Sequence, residues 1–228
     1  MINLPNVRAL VIGHPDLARH LSPQSPRNMS QIFADFVEEM PPCTEYLILA
    51  CSPSSLPLKQ RWRTNGLSAD FLADYVMTFF PGGDEEDLRI EKPEEIRSSI
   101  SYIVNELLEN AMKFSDESSP YPITVQVYLY PETIAIITHH GITRQQRATL
   151  EAFIENLQKS DPAELYFQQL EKNALEDSSD SGLGYLTILN DYNTKLGWKL
   201  ETITEPTEAI ALTTMVQLSV LRDQHTVW

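Results

Sequence analysis

Apolar side chains recur at three- and four-residue steps along much of the chain, and this period predicts helices. The longest such run extends from Pro93 to Ser115, with apolar residues at 96, 100, 103, 104, 107, 111 and 114. At about 100° per residue, these positions fall on one face of a helix. The same spacing predicts further helices at Met29–Met40, Ser68–Phe80, Thr143–Leu157, Pro162–Leu175 and Leu183–Leu196.

Apolar runs and period-two alternation predict strands elsewhere. Residues 121–130 alternate cleanly, and Pro131-Glu132 is a tight turn before a strand over Thr133–His140, which gives an antiparallel hairpin. Further strands are predicted at Arg8–Gly13, Glu45–Cys51, Pro57–Thr64 (with a turn at Asn65-Gly66), Trp198–Thr204 and Glu208–Leu221. The predicted fold is an α/β (α+β) two-layer sandwich, with helices on one face of a mixed, mostly antiparallel sheet.

Three polar residues of the central helix fall on one side, next to its apolar face. Glu106, Asn110 and Lys113 are spaced i, i+4, i+7, which places a carboxylate, an amide and an ammonium at the rim of a buried surface. Such a set also suits the solvated flank of an ordinary amphipathic helix. Asparagine is unfavourable in a helix interior because its side chain competes for backbone hydrogen bonds, which gives slight support to a functional role for Asn110.

Composition limits the classes of partner. The 228 residues carry a net charge of −15, which disfavours binding to nucleic acid or to an anionic membrane surface. Cys43 and Cys51 form no C-x-x-C pair, as expected for ordinary thiols in a reducing compartment. The sequence shows neither a signal-peptide pattern nor an apolar run near the roughly 20 residues of a spanning helix. We therefore expect a soluble, cytoplasmic protein.

Two short motifs carry a resemblance to a known superfamily. Residues 106–114, read E-L-L-E-N-A-M-K-F, resemble the N-box of the GHKL (Bergerat-fold) ATPases and kinases, and S-G-L-G-Y-L at 181–186 resembles their G-x-G box. The boxes occur in the order typical of that superfamily. The resemblance implies a Bergerat-type ATP-binding domain over residues 45–228. Residues 1–44 are then an N-terminal extension that offers a partner or dimer surface.

The resemblance also implies roles for the motif residues. Asn110 is expected to ligate Mg²⁺ together with ATP phosphates, Glu106 to act as general base, and Lys113 to neutralise phosphate charge. Gly182 and Gly184 are expected to bring backbone N–H groups close to phosphate, beneath a lid formed by the polar loop that precedes them.

One box departs from the superfamily pattern. In the sequence H-H-G-I-T at 139–143, Gly141 matches the first glycine of the D-x-G-x-G box, but His139 replaces the Asp that receives the adenine amino group. ATP binding is therefore expected to be weakened or lost unless Thr214, which matches a threonine near the adenine, compensates. His139 and His140 do not suggest a shared metal ion, because adjacent strand residues point to opposite faces.

The implied function is that of a regulatory kinase. The chain is similar to anti-sigma-factor serine kinases and SiaB-type protein kinases, which bind ATP and magnesium and phosphorylate Ser or Thr on a small antagonist or STAS-like partner. This implies partner-switching signalling, with a small protein as substrate and a possible homodimer. The alternative is a catalytically inactive protein-binding module with the same fold, for which the replacement at His139 is the motive.

Overall fold

In the part of the chain that the structure describes, seven strands form one sheet, and the helices cover one of its faces. The computed structural model describes residues 8–12, 29–51, 58–80, 91–119, 121–176, 183–203 and 209–221. The strands are β1 (Arg8–Ile12), β2 (Met29–Ala34), β3 (Glu45–Cys51), β4 (Ile123–Leu129), β5 (Thr133–Ile142), β6 (Thr194–Ile203) and β7 (Ala209–Ser219). The helices are α1 (Leu58–Met77), α2 (Pro93–Lys113), α3 (Arg144–Lys159), α4 (Pro162–Glu176) and α5 (Leu183–Asp191).

The order of the strands is β1-β3-β4-β5-β7-β6-β2. Only the outer pair β1 and β3 is parallel, and all other neighbouring strands are antiparallel. The predicted two-layer sandwich with a mixed, mostly antiparallel sheet is therefore confirmed. Strand β5 lies at the centre of the sheet, between β4 and β7. Most of its residues are buried, whichever face of the sheet they point to.

Alternation along β5 assigns each of its residues to one face of the sheet. Ile134 and Ile136 belong to the main hydrophobic core beneath the helices, so the even-numbered residues of β5 lie on what we call the helix face. Ala135 lines a cavity on the opposite side, so the odd-numbered residues lie on the second face. The continuous pairing of β5 with β7 extends this assignment to β7, where even-numbered residues also lie on the helix face.

The central helix α2 forms as its sequence predicts. It begins at Pro93, where the missing N–H costs nothing, and has Glu94 and Glu95 in the first turn and Lys113 in the last, which complements the helix dipole. Its apolar face is fully buried against the sheet and α1, as shown by Ile96, Ile100, Ile103, Val104 and Leu107. Removing one such side chain to alanine costs about 2–5 kcal/mol.

Residues 35–44, which we call the strap, cross the second face of the sheet from β2 at one side to β3 near the other. Gln217 donates to the Asp35 carbonyl at 2.8 Å, and the Tyr130 hydroxyl donates to the Pro41 carbonyl at 3.0 Å. Gly197 of β6 permits the crossing, because a Cβ there would overlap the backbone of Phe36. A cavity of about 440 Å³ lies beside the strap, away from the helices.

Two predicted elements are wrong, and a third extends too far. The predicted helix Met29–Met40 is instead strand β2 followed by the strap, because pairing with β6 satisfies its backbone and helical spacing over so few residues is ambiguous. From Leu58 onwards, the predicted strand Pro57–Thr64 and its turn belong to α1. This helix continues through Gly66 because Ala69, Leu72 and Val76 are buried against α2. The predicted helix Leu183–Leu196 ends at Asp191, and β6 begins at Thr194.

The segment predicted as an N-terminal extension, residues 1–44, contributes one strand to each edge of the same sheet. Strand β1 pairs with β3 at one edge, and β2 pairs with β6 at the other. In the part of the chain that the structure describes, no helix has the length and apolar character needed to cross a membrane.

Candidate functional site

The C-terminal half of α2 presents Glu106 and Asn110 one turn apart on the same side of the helix. Asn110 is only 6% exposed, and its Nδ2 atom has no hydrogen-bond partner among the described residues. An unpaired buried amide costs about 1–3 kcal/mol. Asn110 is therefore an unfavourable choice for stability, as expected of a residue kept for binding.

Gly184 brings the second motif against the first. It lies in the first turn of α5, and a Cβ at this position would overlap the Glu106 carboxylate and lie 3.8 Å from Asn110 Nδ2. The two sequence motifs, more than seventy residues apart, thus meet in one seam between α2 and α5. Gly184 permits this close approach because it has no side chain.

The surroundings of Glu106 disfavour its charged form. Burial raises the pKa of the Glu106 carboxyl, and the negative charge of nearby Glu109 raises it further. A carboxylate with a raised pKa is a stronger base, which suits acceptance of a proton from a hydroxyl group. The seam thus contains a candidate base beside an unpaired amide.

Two tyrosines that the sequence interpretation missed extend the seam. Tyr102, one turn before Glu106, stacks on Tyr192 with ring centroids 5.3 Å apart and is hydrogen-bonded to Thr187 of α5. Burial raises the pKa of both tyrosines. The four-residue step from Tyr102 to Glu106 was the signal in the sequence that could have identified Tyr102.

Lys113 lies outside the buried part of the seam. Its side chain is exposed in the last turn of α2, and its Nζ lies 5.3 Å from the centre of the Phe114 ring. A cation at this position stabilises the C-terminus of a helix, so Lys113 has a structural role whether or not it meets phosphate.

His139 lies on the second face of the sheet, on the other side from Asn110. It pairs across the strands with Thr213, whose Oγ1 is 3.0 Å from His139 Nδ1, and its ring meets the edge of Tyr121. Burial lowers the pKa of His139, while the charge of Glu201 opposes this shift and that of Lys199 adds to it. The structure therefore does not bring His139 to the seam.

Thr214 lies on the helix face and is 1% exposed. Its hydroxyl is hydrogen-bonded to that of Tyr185, the residue after Gly184. Thr138 is its cross-strand neighbour on β5 and is equally buried. Thr214 is therefore linked to the α5 end of the seam, and alternation along β5 could have identified Thr138.

The sequence also predicts Gly141 and Gly182 as residues of the nucleotide site. At Gly141 a Cβ would overlap the side chain of Ser119, so this glycine lets the segment after α2 fold over β5 on the second face. Its carbonyl accepts the Asp116 N–H at 2.9 Å. Gly182 and the predicted lid at 178–181 lie outside the described residues.

The seam fits the phosphate and metal end of a nucleotide better than the base end. Asn110 offers an amide oxygen, which Mg²⁺ accepts alongside water and phosphate, and an unpaired amide donor for a phosphate oxygen. The carboxylate expected opposite the adenine amine is replaced by His139, which faces away. Among the residues that the structure describes, no group of three or more His, Cys, Asp or Glu is placed to hold a metal by itself.

Comparison with known proteins gives no family for this chain. Neither the search against protein-family models nor the search of curated proteins finds a match.

Proposed function

We propose that this protein binds ATP with Mg²⁺ at the α2–α5 seam and transfers the terminal phosphoryl group to Ser or Thr of a small partner protein. The observation that carries the proposal is that Gly184 lies against Glu106 and Asn110. The two sequence motifs are far apart in the chain, and only the fold brings them together. The resemblance to GHKL-type regulatory kinases supplies the reaction and the class of partner, an antagonist or STAS-like protein in partner-switching signalling.

The residues of the seam have separate roles in this proposal. Asn110 would hold the metal through its amide oxygen, and the backbone at Gly184 would approach the phosphates at the N-terminus of α5. Glu106 would accept the proton of the substrate hydroxyl group. The hydroxyl oxygen would attack the terminal phosphorus of ATP, and ADP would leave. Bound magnesium would neutralise negative charge on the phosphates as the phosphoryl group is transferred.

Calorimetric titration with ATP, in the presence and absence of magnesium, tests the proposal. Wild type should bind ATP in a magnesium-dependent manner, and Asn110→Ala should lose that dependence. Glu106→Gln should keep binding and lose transfer by about 10²–10⁴-fold, the usual contribution of a general base. Equal magnesium dependence in wild type and Asn110→Ala would reject the assignment of the metal ligand.

A second candidate function is a protein-binding module that has this fold and no catalysis. The observation that favours it is the position of His139 on the second face, which leaves the base end of the seam without the expected carboxylate. The same titration separates the two functions, since such a module shows no binding of ATP with magnesium.

A further inference from the structure

The cavity beside the strap lies on the second face of the sheet, on the other side from the α2–α5 seam. Its volume of about 440 Å³ falls within the range of small-molecule sites, which is about 300–1,000 Å³. One wall contains Ala135 of β5 and Met215 of β7, and the other contains Val37 and Met40 of the strap. The phosphoryl transfer proposed above uses none of these residues.

Two hydrogen bonds hold the strap across this cavity. The Gln217 side chain donates to the Asp35 carbonyl, and the Tyr130 hydroxyl donates to the Pro41 carbonyl. Gln217, Tyr130 and Pro41 are themselves part of the cavity lining. Because proline has a nearly fixed φ, Pro41 and the following Pro42 stiffen this part of the strap. The strap is thus fixed at two points, which opposes its collapse into the cavity.

Ala135 leaves the sheet wall of the cavity without a large side chain. Residues 133–138 read T-I-A-I-I-T, and Ala135 is the one residue among them that is not β-branched. Alanine is depleted in strands, where β-branched side chains pack better on the pleated surface. An isoleucine at this position would occupy part of the cavity, so alanine preserves the space.

The residues of the lining indicate the chemistry of a ligand. Met40 and Met215 are unbranched and polarisable, and such side chains adapt to apolar ligands of varied shape. Of the described residues that line the cavity, Glu132 alone carries a charge, and its side chain is exposed. Residues 35–44 of the strap add three carboxylates and no Lys or Arg. An anionic ligand would therefore meet like charge at this site.

We propose that the cavity binds a small organic cation, with its apolar body between Met40 and Met215 and its ammonium group toward Glu132. Burial of apolar surface supplies most of the affinity, because this gain is proportional to the area removed from water. The carboxylates supply a modest preference for a cation, since the attraction between exposed charges is weak in water. This site is separate from the nucleotide seam, which lies on the helix face, and does not depend on it.

Titration with three ligands that share one apolar body tests the proposal: phenylbutylamine, phenylbutanol and phenylbutyrate at pH 7. The protein carries ¹³C at its methionine methyl groups. With the amine, the methyl resonances of Met40 and Met215 should shift and saturate, while those of Met29, Met77 and Met112, which lie outside the lining, should stay in place. The amine should bind about three- to tenfold more tightly than the carboxylate, as expected for exposed charges.

Three variants test the location and the charge preference. Ala135→Ile matches the neighbouring residues of its strand and fills the cavity, so the affinity for the amine should fall tenfold or more in a folded protein. Ile137→Val, on the same face of β5 but outside the lining, is the matched control and should leave the affinity unchanged. Glu132→Gln should reduce the preference for the amine over the carboxylate.

The readout on wild type does not depend on how the variants fold. If the Met40 and Met215 resonances do not move with the amine, the proposal is overturned. Equal affinity for the amine and the carboxylate would reject the preference for a cation, and unchanged affinity in Ala135→Ile would place the ligand elsewhere. Shifts of the two resonances with protein concentration alone would place a second copy of the chain on this face and reject the small ligand.

Discussion

Glu106 and His140 are ionisable side chains whose surroundings disfavour their charged forms. Burial is the first cause for both, and it raises the pKa of the acid and lowers that of the base. The two shifts therefore act on stability at opposite ends of the pH range. Each gives a prediction that can be measured on the folded protein without knowledge of a ligand.

Glu106→Gln should stabilise the protein at pH 7 and have little effect near pH 4. Because the folded pKa is raised, the folded state holds the proton more tightly than the unfolded state does. The cost of the charge is absent below the unfolded pKa and is fully present above the folded one. Urea unfolding at the two pH values measures this difference. Equal midpoints for wild type and Glu106→Gln at pH 7 would contradict the prediction.

Lowering the pH from 7 to 4 should destabilise the protein through His140. Its pKa is about 4 in the folded state and near 6.5 when unfolded, so the unfolded state binds the proton first as the pH falls. The loss is on the order of 3 kcal/mol, since a tenfold change in proton affinity corresponds to about 1.4 kcal/mol. This stability is present above pH 6.5 and is lost toward pH 4.

The measurement is the urea midpoint of wild type and His140→Phe across this range. The variant should lose less stability than wild type as the pH falls, because its side chain binds no proton. His139 contributes in the same direction, since its pKa is also lowered. Parallel pH profiles for wild type and His140→Phe would show that the imidazole is not the group responsible.

Helices α2 and α5 approach each other at a glycine and at polar side chains. Gly184 touches Glu106 and Asn110, and Tyr102 stacks on Tyr192 one turn further along. The unpaired Asn110 amide leaves hydrogen-bonding capacity in this seam. A glycine inside a helix normally costs about 1 kcal/mol relative to alanine, so its presence at Gly184 needs a packing reason.

Gly184→Ala should change stability little but should abolish or weaken binding at the seam. The new Cβ meets the far end of the Glu106 side chain, which can swing away, while α5 gains helix propensity. Gly66→Ala in α1 is the matched control, because a Cβ there has nothing within 4 Å. The control should gain up to about 1 kcal/mol in thermal or urea unfolding. Unchanged affinity for ATP in Gly184→Ala would argue against the seam as the binding site.

At the scale of the whole molecule, the chain packs other segments against both faces of one sheet. The helices cover one face, and the strap crosses the other between strands that are distant in the sheet order. The strap begins after Ala34, a non-glycine residue with φ of 52°, a conformation that alanine adopts only at a cost. Contacts along the strap must hold this turn in place.

Gly197→Ala should therefore be strongly destabilising. Its Cβ would lie 2.6 Å from the carbonyl carbon of Asp35 and would overlap the backbone of Phe36, and a main chain cannot rotate away as a side chain can. The expected cost is about 1–3 kcal/mol, typical of overpacking, measured by urea or thermal unfolding. Val37→Ala, at an exposed position of the strap, serves as the control. A Gly197→Ala protein as stable as this control would show that the strap is not tightly held.

Some elements could be predicted from the sequence because their hydrophobic pattern is long and regular, or because the strand they pair with follows after a short turn. Helix α2 has twenty-one residues and a clear apolar face, and the β4–β5 hairpin has a short turn. Strand β2 could not be predicted, because its partner β6 lies far away in the sequence. Asn65 and Gly66 predict a turn, but they lie inside helix α1, because packing on α2 outweighs their turn propensity.

For the candidate site, the sequence by itself determined the spacing of Glu106 and Asn110, because helical period is a local property. It also determined that His139 and His140 face opposite ways, because alternation is local to a strand. Only the tertiary structure decided that Gly184 lies against α2 and that His140, rather than His139, shares the helix face with Thr214. Those relations depend on the register of β5 with β7 and on the packing of α5, which are contacts between residues far apart in the chain.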